Sequence, residues 1–382
     1  MFDYLADRLA ELKSHHRLRT LVPRQPLGIE FIDDAQRRLI NFGSNDYLGL
    51  ATSRSPSPIA PSATGSTASA LVCGWTPLHQ QLAERIAQLE STESAILFPS
   101  GYAACSGTVA TLAEEGDLIL SDELNHASLI EGCRLSRAEC IVYPHRDHEF
   151  VANTLAQRRH QFTRVWIVTD GVFSMDGHVA PLRELADLVQ RFTATLIVDE
   201  AHGTGVLGKT GSGLCEALEV KDRVAIRIGT LSKAIGGQGG FVAGPKVVTD
   251  YLVNRCRSLI FSTSLAPSAV AASLASIESF QAEPSRRHRV QSIARHVRER
   301  LSLLTTCELE NSVPIIPIVL GQDAKAMTAF EKLVEAGFYV PAIRPPTVPR
   351  GTSRLRLSLS ALHDDAMIES LIRAVAELIP TC

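Results

Sequence analysis

Strand-like and helix-like segments alternate between residues 95 and 243, and this alternation constrains the fold more than any other feature. Runs of β-branched and aliphatic residues predict strands at 95–98, 117–120, 139–143, 164–169, 195–199, 225–229 and 240–243. Helical patterns lie between several of them, at 102–113, 127–135, 149–160 and 182–192. Alternation of this kind predicts an α/β protein with a mainly parallel sheet covered on both faces. Ligands of such sheets bind at the carboxyl ends of the strands.

Charge and cysteine usage exclude several classes of function. The net charge is -3 at pH 7, so we expect no nucleic-acid partner. Acidic residues near the start and the lack of a long apolar run predict no signal peptide and no membrane association, hence a cytoplasmic protein. The 8 cysteines form no Cys-x-x-Cys pair, and no histidines stand at zinc spacing. We therefore expect reduced thiols, mostly in the core, and no metal site.

A lysine that follows the predicted strand 225–229 is the first candidate for chemistry. Lys233 lies between the hydroxyl residues Thr230 and Ser232 and the glycine cluster 236–240. A lysine amine forms imines with pyridoxal 5'-phosphate (PLP), and neighbouring hydroxyl and backbone N–H groups bind phosphate. Most lysines are solvated surface residues, so this pattern needs a second feature to support it.

An acid at the end of the predicted strand 195–199 is that feature. Asp199 ends the strand, and His202 follows three positions later. A buried acid needs a partner, and the protonated ring nitrogen of PLP is one. The alternative is an aspartate that caps a turn beside a locally packed histidine. The lysine downstream favours the cofactor interpretation.

Two other predicted strands are followed by polar residues. Ser100, Gly101 and Tyr102 open a predicted helix whose free N–H groups suit a phosphate, although an N-cap serine is common at any helix start. Tyr102 or His126 could stack on a flat aromatic ligand, although residues of both types are more often packing residues.

Four further segments leave alternatives open or exclude a function. Residues 51–69 are rich in Ser, Pro, Ala and Thr, which is typical of a linker or of a loop over an active site. The basic patch at 13–19 fits the C-terminal end of a helix. The basic helix at 284–300 is predicted to be a solvated face, because no aromatic residues interleave with its charges. Residues 203–208 match Gly-x-Gly-x-x-Gly, but loop residues follow the third glycine, which argues against a dinucleotide site.

Eight segments spread over nearly the whole chain carry a family resemblance. They are 45–50, 76–79, 98–102, 124–129, 171–177, 199–205, 230–233 and 261–265. With them the chain resembles the α-oxoamine synthases, PLP-dependent transferases of the aspartate-aminotransferase fold (fold type I). The segment 342–349 is narrower and points to the branch that condenses L-alanine with a pimeloyl thioester in biotin biosynthesis.

The resemblance implies roles for individual residues. Lys233 would hold the cofactor, Asp199 would pair with its ring nitrogen, and His126 would stack on the ring. Ser174 and His202 would lie beside its phenolic oxygen, and Gly101, Tyr102 and Thr230 would bind its phosphate. A second subunit would add Ser262 or Thr263, which implies a homodimer with shared active sites. Arg356 would anchor the carboxylate of the amino acid. Arg19 and Thr347 match positions that contact the acyl thioester.

The expected organisation has three parts. An N-terminal helix and arm occupy 1–50, a large cofactor-binding domain 51–280 and a small α+β C-terminal domain 281–382. Further helices are predicted at 3–18, 76–89, 326–336 and 364–379, and further strands at 314–320 and 354–359. The expected activity is a decarboxylative condensation of L-alanine with an acyl thioester. A sister enzyme that uses glycine or serine and a cofactor-binding scaffold without turnover remain the alternatives.

Overall fold

The fold is that of a computed structural model, which describes residues 2–52, 63–305 and 311–378. Its α-helices are α1 (Asp3–Ser14), α2 (Pro77–Glu90), α3 (Gly101–Leu112), α4 (Ala127–Leu135), α5 (His148–Arg158), α6 (Leu182–Phe192), α7 (Leu214–Ala217), α8 (Lys246–Arg255), α9 (Arg257–Ile260), α10 (Pro267–Ala282), α11 (Ser285–Arg300), α12 (Asp323–Glu335) and α13 (Asp365–Leu378). Its strands are β1 (Gln25–Leu27), β2 (Glu30–Ile32), β3 (Arg38–Asn41), β4 (Ser94–Phe98), β5 (Leu118–Asp122), β6 (Glu139–Tyr143), β7 (Val165–Asp170), β8 (Thr195–Asp199), β9 (Ile226–Thr230), β10 (Gly240–Gly244), β11 (Ile315–Gly321), β12 (Phe338–Tyr339), β13 (Ala342–Ile343) and β14 (Ser353–Ser358). A π-helical turn at Ala70–Gly74 and a 3₁₀ turn at Arg159–Gln161 complete the helical elements of these ranges.

The chain divides into two compact units. The large unit comprises Arg54–Ser174 and Val179–Arg287, and the small unit comprises Met1–Ser53, Met175–His178 and His288–Cys382. The small unit thus combines N-terminal and C-terminal residues. The three-part domain division at residues 50 and 280 stays a prediction.

A seven-stranded sheet forms the centre of the large unit. Its strand order is β4-β10-β9-β8-β7-β5-β6. The pairs from β9 to β6 are parallel, and β10 runs antiparallel to both of its neighbours. The predicted mainly parallel sheet is therefore confirmed, with β10 as its antiparallel member.

Apolar strands covered by helices explain why this sheet forms. Every residue of β5, β7, β9 and β10 is buried, as expected for strands that helices cover on both faces. The helix α2 begins at a capping box, in which Thr76 and His79 satisfy each other's backbone groups and Pro77 occupies the first helical position. The packing of helices on the sheet holds the strand ends, so the polar residues that follow them have fixed positions.

The small unit contains two smaller sheets. One has the order β1-β2-β3-β12 and the other the order β11-β14-β13. The first is antiparallel except where β12 pairs with β3, and the second is antiparallel throughout. An α+β composition is thereby confirmed for this unit.

The predicted solvated face on the basic helix is wrong for two of its arginines. Arg287 and Arg298 on α11 are buried, with 2% and 0% of their surfaces exposed. Arg287 donates to the carbonyl oxygen of Lys209 at 2.7 Å, and Arg298 donates to that of Ile315 at 2.9 Å. Burial of a guanidinium is tolerated where carbonyl groups accept its N–H bonds, and composition alone does not reveal such partners.

The structure also bears on the predictions for residues 203–208, for the segment 51–69 and for membrane spans. Residues 203–208 form turns, and the next helix begins only at Leu214, which agrees with the rejection of a dinucleotide motif. The segment 51–69 lies partly outside the described residues. No helix in the described ranges is long and apolar enough to cross a membrane.

Candidate active site

The amine of Lys233 contacts the ring of His202 in the large unit. Lys233 lies in the turn after β9, and its Nζ is 2.7 Å from Nε2 of His202. The turn is held by Thr230, whose Oγ1 donates to the carbonyl oxygen of Gly239 at 3.0 Å and accepts from the N–H of Ser232 at 3.2 Å. A lysine amine beside an imidazole is a pair of groups that can exchange a proton.

Two buried carboxyl groups stand at neighbouring strand ends. Asp199 ends β8, and its Oδ1 accepts from the N–H of Ala201 at 2.8 Å. Asp170 ends β7, and its Oδ1 accepts from the N–H of His126 at 3.2 Å. Burial, and next to it the charge of Asp199, raises the pKa of Asp170 well above its usual range. The neutral form of Asp170 is therefore favoured beside Asp199.

His126 is held as a neutral ring at the start of α4. Its Nδ1 accepts from the N–H of Ser128 at 3.3 Å and lies 2.7 Å from the Ser128 hydroxyl. Burial lowers the pKa of His126. Since Nδ1 accepts, the neutral ring carries its proton on Nε2. Tyr102 meets His126 edge to face, with the ring centroids 6.2 Å apart.

Most of the predicted ring-binding residues line one small cavity. It is lined by His126, Asp170, Val172, Ser174, Asp199, Ala201, His202 and Lys233. The structure thus brings together the predicted residues that follow β5, β7, β8 and β9. Among the described residues, no cluster of His, Cys, Asp and Glu is arranged to hold a metal ion.

The start of α3 forms a narrow cradle next to β9 and β10. Ser100 caps the helix by accepting from the N–H of Ala103 at 3.1 Å. A Cβ added to Gly101 would lie 3.2 Å from Oγ1 of Thr230, and one added to Gly240 would lie 2.6 Å from the backbone N of Gly101. The cradle suits a phosphate. It offers backbone N–H groups at a helix start and a threonine hydroxyl, and its two glycines leave space that a side chain would fill. Together with a lysine, a carboxylate and a stacking ring, these donors fit PLP.

The remaining predicted residues lie elsewhere. Ser262 and Thr263 line a different small cavity of the large unit, together with Phe98 and Leu265. In the small unit, Arg19 donates to Oγ1 of Thr347 at 3.3 Å, so these two residues are brought together. Arg356 is buried and donates to Ser358 Oγ at 2.6 Å and Asn45 Oδ1 at 3.2 Å.

Three residues near the cavity were not predicted as site residues. Asn125 accepts from the N–H of Asp170 at 2.8 Å and so connects β5 with β7. Glu200 accepts from the N–H groups of Leu214 and Cys215, at 2.9 and 2.6 Å. Cys105, which the sequence suggested to be core filler, donates to Oδ2 of Asp199 at 3.2 Å. The sequence shows a glutamate directly after Asp199, but its backbone partners are the first two residues of α7, a short helix that no sequence pattern predicts.

Comparison with known proteins adds independent information. The family model for aminotransferase class I and II matches residues 37–375. The 8-amino-7-oxononanoate synthase of Anaeromyxobacter dehalogenans is 45% identical over 383 residues, which covers 99% of this chain and 96% of the relative.

Solved structures agree with these matches. A serine palmitoyltransferase from S. paucimobilis with a bound PLP–myriocin aldimine has a TM-score of 0.90 and 28% identity, covering 99% of this chain and 97% of that one. An 8-amino-7-oxononanoate synthase from Francisella tularensis has a TM-score of 0.73 and 27% identity, covering 89% and 97%. The fold is therefore that of the type I PLP enzymes. The chain belongs to the aminotransferase class I and II family, among its 8-amino-7-oxononanoate synthases, and is a PLP-dependent acyltransferase.

Proposed function

We propose that this enzyme condenses L-alanine with a pimeloyl thioester, releasing CO₂ and the thiol carrier and forming 8-amino-7-oxononanoate for biotin. The observation that supports it best is the 2.7 Å contact between Lys233 and His202 in a cavity that Asp199 and His126 also line. The names of the relatives support the pathway. The segment 342–349 of the sequence supports alanine and a pimeloyl group over other substrates.

The large unit supplies the groups that hold PLP. In this proposal Lys233 would bind its aldehyde carbon, the Asp199 carboxylate would pair with its ring nitrogen, and His126 would stack on its ring. Gly101, Tyr102 and Thr230 would hold its phosphate, and Ser174 and His202 would lie beside its phenolic oxygen. When bound, PLP supplies the electron sink that stabilises negative charge at the α-carbon of an amino acid.

Proton transfers fall to Lys233 and His202. Once the amino group of alanine has replaced Lys233 at the cofactor, the freed lysine would remove the α-proton of alanine, as a general base needs reach to that proton and a free electron pair. His202, whose Nε2 is 2.7 Å from Nζ of Lys233, can take up a proton from the lysine and return it. After the thioester has been attacked, a protonated His202 donates to the new carbonyl oxygen and so favours loss of CO₂.

The small unit is proposed to recognise the substrates. Arg356 is suited to a carboxylate, because a guanidinium donates two parallel N–H bonds. Its fixed orientation, held by Asn45 and Ser358, lowers the entropy cost of that contact. Arg19 and Thr347 are proposed to contact the acyl thioester, and their mutual hydrogen bond keeps both side chains in place.

A substrate panel tests the proposal. The purified holoenzyme is incubated with pimeloyl-CoA and either L-alanine, glycine or L-serine, and released CoA and the product mass are measured by chromatography and mass spectrometry. We expect CoA release and a product of the mass of 8-amino-7-oxononanoate with alanine. Lys233→Ala should lose that turnover and the visible absorption of the lysine-bound cofactor.

Two results would change the assignment. Turnover with glycine or serine alone would make the chain a sister enzyme, with the same fold and cofactor. A wild-type protein without visible cofactor absorption and without CoA release from any of the three amino acids would contradict the catalytic proposal as a whole.

A further inference from the structure

Among the residues that the structure describes, each oxygen of the Asp199 carboxylate accepts one hydrogen bond, and one of the two donors is a thiol. Oδ1 accepts from the backbone N–H of Ala201 at 2.8 Å. Oδ2 accepts from Sγ of Cys105 at 3.2 Å. A backbone N–H comes with any residue at position 201, whereas the second contact depends on the side chain at position 105.

Cys105 reaches Asp199 from within an apolar core. It lies on α3, is 1% exposed, and packs in a cluster with Val168, Ile197 and Ile228. Burial, and next to it the charge of Asp199, raises the pKa of the Cys105 thiol well above its usual range. The sulfur therefore keeps its proton and acts as a donor to the carboxylate.

From this contact we propose that Cys105 is a positioning residue of the cofactor site. Its S–H group fixes the rotamer of Asp199 and moderates the basicity of the carboxylate. A buried carboxylate that loses a donor must rotate or change its basicity, and both alter its bond to a pyridine nitrogen. The proposal rests on the assignment of Asp199 as the partner of that nitrogen.

Three variants of the enzyme test the role of the thiol. Cys105→Ala removes the donor, and Cys105→Ser keeps a donor of similar size. Cys256→Ala is the matched control, because Cys256 is buried in the same core cluster and contacts Ser258 instead of Asp199. PLP affinity is measured by fluorescence titration of apoenzyme, and the absorption of bound PLP is followed between pH 6 and about pH 10, a range set by the ordinary lysine pKa.

We expect a cofactor effect that serine rescues. Cys105→Ala should weaken PLP binding about fivefold, in line with the net contribution of one ordinary hydrogen bond, and shift the pH midpoint of the absorption change by about half a unit. Cys105→Ser and Cys256→Ala should bind PLP within about twofold of the wild type. If Cys105→Ala does not fold, Cys105→Val replaces it, since valine keeps the volume without a donor.

Each alternative outcome identifies what has failed. Unchanged affinity and absorption in Cys105→Ala would overturn the role of the thiol. So would a Cys105→Ser variant as defective as Cys105→Ala, because packing would then explain both. A wild-type protein that binds no PLP would refute the cofactor site itself, and with it the proposed function.

Discussion

The hydrogen bond between Lys233 and His202 couples two titratable groups within one cavity. A histidine that relays protons to and from a lysine should affect turnover much more than cofactor binding, because the carboxylate and the phosphate cradle are separate groups. We expect His202→Asn to lower kcat by about 10²–10⁴-fold, the usual contribution of a general acid or base. PLP affinity should change by less than about tenfold, since hydrogen bonds to Asp199 and the helix start remain.

Steady-state kinetics and a PLP titration check this expectation. His160→Asn is the control, because His160 is exposed on the 3₁₀ turn of the same unit. Equal losses in kcat and cofactor affinity would assign His202 to cofactor binding instead of proton transfer.

His363 makes the stability of the small unit sensitive to acid. It is 1% exposed, its ring stacks on Phe42 at 4.0 Å, and its Nε2 donates to the carbonyl oxygen of Asn41 at 3.2 Å. Burial lowers the pKa of His363 from 6.5 to about 4. The folded state thus favours the neutral ring. Stability from this group is present above pH 6.5 and is lost as the pH falls toward 4.

Chemical denaturation at several pH values measures that effect. The wild type should lose roughly 3 kcal/mol of unfolding free energy through this group between neutral pH and pH 4, at about 1.4 kcal/mol per pKa unit. His363→Gln should lack this part of the pH dependence, while His160→Gln should keep it. Parallel pH profiles for wild type and His363→Gln would mean that His363 does not titrate in this range.

At the scale of elements, helices and strands with a clear apolar pattern could be predicted from the sequence, and those without one could not. The predicted strand at 195–199 matches β8, and the predicted helices at 127–135 and 182–192 match α4 and α6. The strand is a short continuous apolar run, and the two helices have apolar residues at helical spacing. The helices α8 and α10 were missed. In α10 buried and small residues cover most of the surface, so no apolar stripe marks its period.

The contacts of the site divide in the same way. Some involve residues that a local sequence pattern marks, and others join residues that are far apart in the sequence. Lys233, Asp199 and His126 stand next to elements with clear patterns, and strand ends of a parallel sheet converge on one edge. The thiol of Cys105 lies 94 positions from Asp199 in the sequence. The burial of Arg298 likewise depends on a carbonyl group 17 positions away, on another element. Such contacts arise from the packing of elements against each other, which cannot be predicted from a single sequence.

The cradle between α3 and β10 should not tolerate a methyl group. A Cβ on Gly240 would lie 2.6 Å from the Cα and backbone N of Gly101, and backbone atoms cannot move aside as a flexible side chain does. We expect Gly240→Ala to cost roughly 1–3 kcal/mol of stability by overpacking and to weaken PLP binding at least about tenfold by displacing the helix start.

Thermal denaturation and a PLP titration measure both effects. Gly65→Ala is the matched control, because a Cβ there would meet nothing within 4 Å. A Gly240→Ala protein that binds PLP as the wild type does would show that the start of α3 is not the phosphate site.

At the scale of the whole molecule, the proposed homodimer with shared active sites predicts complementation. Lys233→Ala removes the lysine from its own site, and a Ser262→Ala/Thr263→Val variant removes hydroxyls that are proposed to act in the partner's site. Each homodimer should be nearly inactive. In an equilibrated equal mixture, half of the dimers are hybrids with one intact site, so about a quarter of wild-type activity should return.

Activity after mixing, with the dimer content followed by analytical ultracentrifugation, measures this recovery. Wild type mixed with Lys233→Ala serves as the reference for subunit exchange. Hybrids that form without any gain in activity would place the two hydroxyl residues in the site of their own chain.

The position of β10 also bears on the order in which the protein is made. This strand is the last of the central sheet in the sequence, yet it lies between β4, the first, and β9. During synthesis the gap between those strands stays open until residue 244 has left the ribosome, because a non-local pairing requires both partners. Once β10 has paired with its neighbours, Gly240 lies directly next to Gly101. The cradle is therefore completed by one of the last steps in assembling the large unit, and a nascent chain that ends before β10 would lack the finished cradle in which the phosphate is proposed to bind.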